Sequence, residues 1–93
     1  MIRGFADKAT ERLFRDRVCP SQWRSFVAAA LRKLDMVDAA VRLDDLRSPP
    51  GNRLEALKGD RRGQHSIRIN QQWQICFRWT TDGPDGVEIV DYH

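Results

Sequence analysis

The hydrophobic period of this chain changes once. Up to about Leu43, apolar residues recur every three or four positions; from His65 onward they recur every second position. The cluster Ser48-Pro49-Pro50-Gly51-Asn52 separates the two halves. A period near 3.6 buries one stripe of a helix, and a period of two buries one face of a strand. The chain is therefore restricted to helices first and sheet second. That pattern predicts an α+β class, with N-terminal helices packed on one face of a small twisted antiparallel sheet. Ninety-three residues support one modest core, so a single domain over residues 1–93 is expected.

The helical half divides further. Asp7 is a cap for a helix over Lys8–Arg15, with Ala9, Leu13 and Phe14 facing inward. Pro20 and Ser21 open a second helix, in which Trp23, Phe26, Val27, Ala30, Leu31 and Leu34 form one apolar stripe. A shorter helix is expected from Asp38 to about Asp45. In the second half, Asn52–Leu57 reads as a short extended segment and His65–Asn70 as a strand. Gln71-Gln72 forms a turn, and Trp73–Trp79 forms the next strand. Asp82-Gly83-Pro84-Asp85-Gly86 has turn composition, and Val87–Tyr92 reads as the last strand.

Strand parity sorts the side chains. Ile67, Ile69, Trp73, Ile75, Phe77, Trp79, Val87 and Ile89 share the face that must bury itself against the Trp23–Leu34 helix. Ser66, Arg68, Asn70, Gln74, Arg78, Glu88 and Tyr92 share the other, which is expected to be wet. A solvated polar face is ordinary for an antiparallel sheet, so parity alone assigns it no role.

The remaining composition narrows the partners. The longest apolar run, Phe26–Leu31, is far shorter than the roughly 20 residues a bilayer requires. The start, Met1-Ile2-Arg3-Gly4-Phe5, meets Asp7 and Lys8 at once and has no signal-peptide apolar region. Cys19 and Cys76 are isolated, which suits reduced thiols in the cytoplasm rather than a disulfide or a metal site. The net charge is +3, and 13 of the 16 basic residues are Arg. Arginine grips phosphate with a planar fork and stacks on bases, which suits a polyanionic partner; GC-rich coding produces the same bias.

Two groups of residues stand out as a candidate site. Arg53, Lys58, Arg61 and Arg62 cluster in the loop that feeds the sheet, opposed only by Glu55 and Asp60. Such a patch beside a polar sheet face fits a phosphate backbone. The sequence ends on Asp91-Tyr92-His93. A strand running to that point would gather titratable groups close together, with His93 able to change charge near neutral pH. The plainer reading of this ending is a frayed strand with a surface histidine.

Taken together, these residues resemble a known family. The run Asn52-Arg53-Leu54-Glu55-Ala56-Leu57-Lys58-Gly59-Asp60, the strand Ser66-Ile67-Arg68-Ile69-Asn70, the Gln72-Trp73 turn and the terminal Asp91-Tyr92-His93 look like the HigB toxins of the RelE/ParE superfamily. Met1-Ile2-Arg3 and Leu46-Arg47-Ser48-Pro49-Pro50-Gly51 extend the likeness over nearly the whole chain. The resemblance implies a toxin of a type II toxin–antitoxin system that enters the ribosomal A site and cleaves messenger RNA. It implies no metal and no other cofactor. Attack of a ribose 2′-OH on the adjacent phosphate then needs a base, cations on the phosphoryl oxygens and an acid for the leaving oxygen. On this reading Asp91 and His93 are the acid/base candidates. Tyr92 stacks on a base or bonds the phosphate, and Lys58 neutralises the phosphate. Arg68 and Arg78 hold RNA, Arg53 of the basic loop also binds it, and Arg61 and Arg62 touch ribosomal RNA.

Two positions depart from the family pattern. Gln74 stands where many relatives carry Arg, which weakens transition-state stabilisation unless Arg78 compensates. Glu55 stands where some carry His, and is either a base or a neutraliser of Arg53. The implied partners are a helix-turn-helix antitoxin resembling HigA, the ribosome and mRNA, with operator DNA reached only through the antitoxin and no membrane. A ParE-like gyrase poison, a non-catalytic RNA-binding module and a simple interaction domain are the competing readings.

Overall fold

The computed structural model describes residues 1–91. Helix α1 spans Lys8–Asp16, with the Asp7 carboxylate accepting from the Thr10 N–H. Leu13 is fully buried, while Ala9 and Phe14 pack partly against the core. Helix α2 spans Val27–Ala39. The sheet is an antiparallel meander in the order β1 (Glu55–Ala56), β2 (His65–Arg68), β3 (Trp73–Thr80) and β4 (Gly83–Asp91). Leu34, Ala30 and Val37 of α2 meet Ile67, Ile75, Phe77, Val87 and Ile89 of the sheet in one core. The expected α+β arrangement is therefore present, and so is the inward face of the strands.

Several boundaries differ, each for a local reason. The stripe that begins at Trp23 starts in a 3-10 turn over Ser21–Phe26, and the α-helix begins only at Val27. Residues three apart eclipse one another in 3-10 geometry. That brings Trp23 and Phe26 together onto Trp73: Phe26 stacks on it at 5.2 Å, and Trp23 meets it edge-on at 6.4 Å. The separate helix expected over Asp38–Asp45 does not form. Asp38 belongs to the last turn of α2, Ala40 is extended, and Leu43–Arg47 makes a 3-10 turn. The Asp45 carboxylate accepts from the Val41 and Arg42 N–H groups, which holds the chain out of the helix there and lowers its pKa.

The segment 52–57 is also less extended than expected. Pro50–Asn52 is a 3-10 turn, and only Glu55 and Ala56 pair with β2. Asn52 is fully buried. Its Oδ1 accepts from Lys33 Nζ, and its Nδ2 donates to the carbonyls of Leu46 and Ser48. One amide thus ties α2 to both turns that precede the sheet.

Strand β4 begins four residues earlier than the turn composition suggests. Gly83, Pro84, Asp85 and Gly86 are within the strand, and the hairpin turns at Thr81-Asp82. The N-terminal segment decides this by running parallel along the free edge of β4. Arg3 N–H donates to Pro84, Val87 N–H to Gly4 and Ala6 N–H to Val87. Where that segment leaves the edge, the buried Thr10 hydroxyl accepts the next donor, Ile89 N–H, at 3.0 Å. Thr10→Val removes this acceptor without changing shape and should destabilise the fold by about 1–3 kcal/mol. Urea unfolding should show it as a lower midpoint; an unchanged midpoint would mean Ile89 does not depend on Thr10.

Candidate active site

The outer face of the sheet, away from the helices, is divided rather than uniformly wet. Glu55, Ser66, Cys76 and Glu88 are opposed in register across all four strands. Ser66 and Cys76 are nonetheless buried, at 2% and 0% exposure. Arg61 reaches over this face: its Nη2 donates to Glu88 Oε1 at 2.8 Å while Nη1 donates to Gln64 Oε1 at 3.1 Å. Burial pushes the Cys76 thiol up to about 11, so it is neutral beneath the ion pair. Glu88 in turn holds the Arg61 guanidinium more firmly charged. Asn70, read as part of the wet face, lies in the turn after β2. There its side chain accepts from the Gln72 and Trp73 N–H groups at 2.8 Å, closing the β2–β3 connection.

On one side of this bridge lies a row of polar residues. Arg68 on β2 is directly opposite Gln74 on β3, which is opposite Val90 on β4. Arg53, Leu54, Glu55 and Arg68 line a cavity of about 250 Å³. Arg53 reaches it from a left-handed backbone conformation, φ 48°, where the chain leaves the Pro50–Asn52 turn. Such a conformation costs a non-glycine residue of the order of 1 kcal/mol. The lining brings together one carboxylate-bearing and two guanidinium-bearing residues, a set able to bind a phosphate and take a proton beside it.

Lys58 and Arg62 line a second cavity of about 370 Å³ with Leu57 and Gly59. The loop that carries them is tightly self-bonded: Leu57 N–H donates to Gln64, Arg61 to Lys58, Arg62 to Gly59 and Gln64 to Arg61. Glycine is required at 59 and 63, whose φ angles are +64° and +91°.

Arg78 sits on the other side of the bridge. It is opposite Asp85, and its Nη1 is so close to Gly63 that a Cβ there would lie 2.8 Å away. Four residues of strand separate it from Gln74, about 13 Å. The cation directly opposite Gln74 is therefore Arg68. Asp91 ends β4 opposite Trp73, and the Gln72 amide donates to its Oδ2 at 3.4 Å. Tyr92 and His93 lie outside the described residues. Of the residues singled out in the sequence, the fold brings Arg53, Glu55, Arg68 and Gln74 together, with Lys58 and Arg62 on the adjoining loop. It commits Arg61 to Glu88. No group of three His, Cys, Asp or Glu side chains suited to a metal occurs among the described residues.

Comparison with known proteins identifies the family. The sequence model of the HigB-like toxin family, "RelE-like toxin of type II toxin-antitoxin system HigB", matches residues 3–93. The chain belongs to the HigB toxins. Toxin HigB-1 of Vibrio cholerae is 42% identical over 99% of this chain and 94% of its own length. Endoribonuclease HigB of Proteus vulgaris is 29% identical with both chains covered completely. A HigB toxin has an antitoxin as its partner, because type II systems are defined by such a pair. No helix among the described residues of this toxin is long and apolar enough to cross a membrane.

Reasoning from sequence missed Ser66 and Cys76 as covered residues and Glu88 as Arg61's partner. Parity did place Glu88 on the correct face. Nothing in the sequence shows that an arginine 27 positions away reaches it.

Proposed function

We propose that this toxin is a ribosome-dependent endoribonuclease that cleaves messenger RNA in the A site and so stops translation. The observation that carries this reading is the cavity lined together by Arg53, Glu55 and Arg68, with the Lys58–Arg62 pocket on the loop that follows. A relative aligned over its full length bears the name endoribonuclease, which supports RNA as the substrate.

The chemistry needs no metal. A base removes the 2′ proton, the 2′ oxygen attacks the adjacent phosphorus, and the bond to the 5′ oxygen breaks as an acid protonates it. The products are a 2′,3′-cyclic phosphate and a free 5′ hydroxyl. Asp91 and His93 are the acid/base pair of this proposal, with Glu55 a second base. Tyr92 stacks on an unstacked base. Lys58, Arg68 and Gln74 face the charge that develops on the phosphoryl oxygens. Arg53, Arg62 and Arg78 hold the backbone of mRNA or of ribosomal RNA. The antitoxin is a HigA-like helix-turn-helix protein, operator DNA is reached only through it, and the toxin acts in the cytoplasm as one domain.

The test is primer extension on mRNA from translating ribosomes supplied with the purified toxin. Codon-aligned cuts are expected with ribosomes and none on naked RNA. Equal cutting of naked RNA would overturn the ribosome dependence. Inhibition of gyrase supercoiling without RNA cleavage would overturn the whole reading. Deleting His93 should lower the cleavage rate by about 10²-fold, the usual share of a positioned proton-transfer group; full activity would remove it from the mechanism.

A further inference from the structure

The loop carrying Lys58 and Arg62 has little to hold it in place. Its own hydrogen bonds are internal, and the strand before it contributes only two residue pairs to the sheet edge. Lys58 itself is exposed. The loop nonetheless lies across the sheet, because Arg61 reaches over β2 and β3 to Glu88 on β4. Strands β2 and β4 are two spacings apart, about 10 Å, a span that only a long side chain can cross. The bridge is partly shielded from water, with side-chain exposures of 39% for Arg61 and 20% for Glu88. Gln64 holds the second arm of the guanidinium, so Arg61 cannot swing freely.

We infer that Arg61 and Glu88 are a positioning pair whose bridge clamps the Lys58–Arg62 loop on the sheet and sets Lys58 against the scissile phosphate. This rests on the cleavage site proposed above. Neither residue touches the substrate in this role. The neutral, buried Cys76 thiol beneath the bridge supports it, since a thiolate there would compete with Glu88 for the guanidinium.

The experiment measures cleavage kinetics of the full chain on programmed ribosomes for Glu88→Gln, Arg61→Gln and the double variant. A displacement of about 1 Å in a catalytic group costs up to 10²-fold. Each single variant should therefore lose about ten- to a hundredfold in kcat, with KM within about twofold. Amide exchange across residues 58–64 should accelerate in the folded protein. The double variant should be no slower than the worse single one, because either change already breaks the bridge. Multiplying losses in the double variant would mean independent roles and would overturn the pairing. A raised KM with unchanged kcat would overturn it as well, by making Arg61 an RNA contact. Lys58→Met is run in parallel to separate the two levels of inference. If Lys58→Met cleaves at the parent rate, Lys58 leaves the proposed cleavage machinery and the clamp has no catalytic group to position. If Lys58→Met is inactive while Glu88→Gln keeps the parent kcat, only the clamp fails.

Discussion

Lys58→Met should lower the rate of mRNA cleavage on ribosomes by about 10²–10³-fold, the loss found when one preorganised donor to a developing oxyanion is removed. Lys58 is exposed and forms no ion pair among the described residues, so its ammonium is available to a phosphate. Methionine keeps most of the apolar stem and removes only the charge. A surface substitution of this kind changes stability by at most about 0.5 kcal/mol, equivalent to about 3 °C in Tm for a chain of this size. Single-turnover cleavage and thermal melting by circular dichroism on one preparation separate the two quantities. A rate within twofold of the parent would take Lys58 out of the mechanism. A collapse of Tm would instead make it a structural residue.

Gln74→Arg should act in the opposite direction, raising cleavage about tenfold or more. An amide brings a hydrogen bond but no charge, whereas hydrogen bonds from an ionised donor are roughly twice as strong. A further 1.4 kcal/mol in the transition state is a factor of ten in rate. The gain carries a cost set by the register. Gln74 is directly opposite Arg68, and like charges opposed across an antiparallel pair destabilise it by about 0.2–1 kcal/mol. Activity should rise while Tm falls by about 1–8 °C. Growth arrest in an inducible strain, together with a melting curve, reads both. No rise in toxicity would show that position 74 does not face the reacting phosphate. In the parent protein Arg68 is the cation opposite this position, so Arg68→Gln should cost more activity there than in the Gln74→Arg background.

Local pattern made part of the site legible. The motif around Lys58-Gly59-Asp60 marks a loop because its glycines serve positive φ angles. Alternation along Trp73–Trp79 assigns Gln74 to the outer face, and the same parity puts Arg68 there. Long-range pairing was not legible. The wet face was expected to be uniform because parity reports direction and says nothing about what lies above. Ser66 and Cys76 on that face are buried, and a loop arginine reaches across it to Glu88. Arg78 was read as support for Gln74 on parity alone; distance along the strand and the intervening Arg61 put it beside Gly63 instead.

The sequence by itself determined the class of the fold, the buried face of each strand, the stripe on α2 and the family to which the chain belongs. These follow from periodicity and from motifs read within a few residues, where chain geometry links spacing directly to direction. Only the tertiary structure decided that the N-terminal segment extends β4, that Asn52 and Thr10 are buried hubs, and that Arg61 spends its charge on Glu88. Those outcomes depend on groups that meet across 19 to 83 residues of chain, from Lys33 with Asn52 to Gly4 with Val87. A buried donor or ion needs a partner wherever the packed chain supplies one, and the sequence order of the two does not reveal which will be chosen.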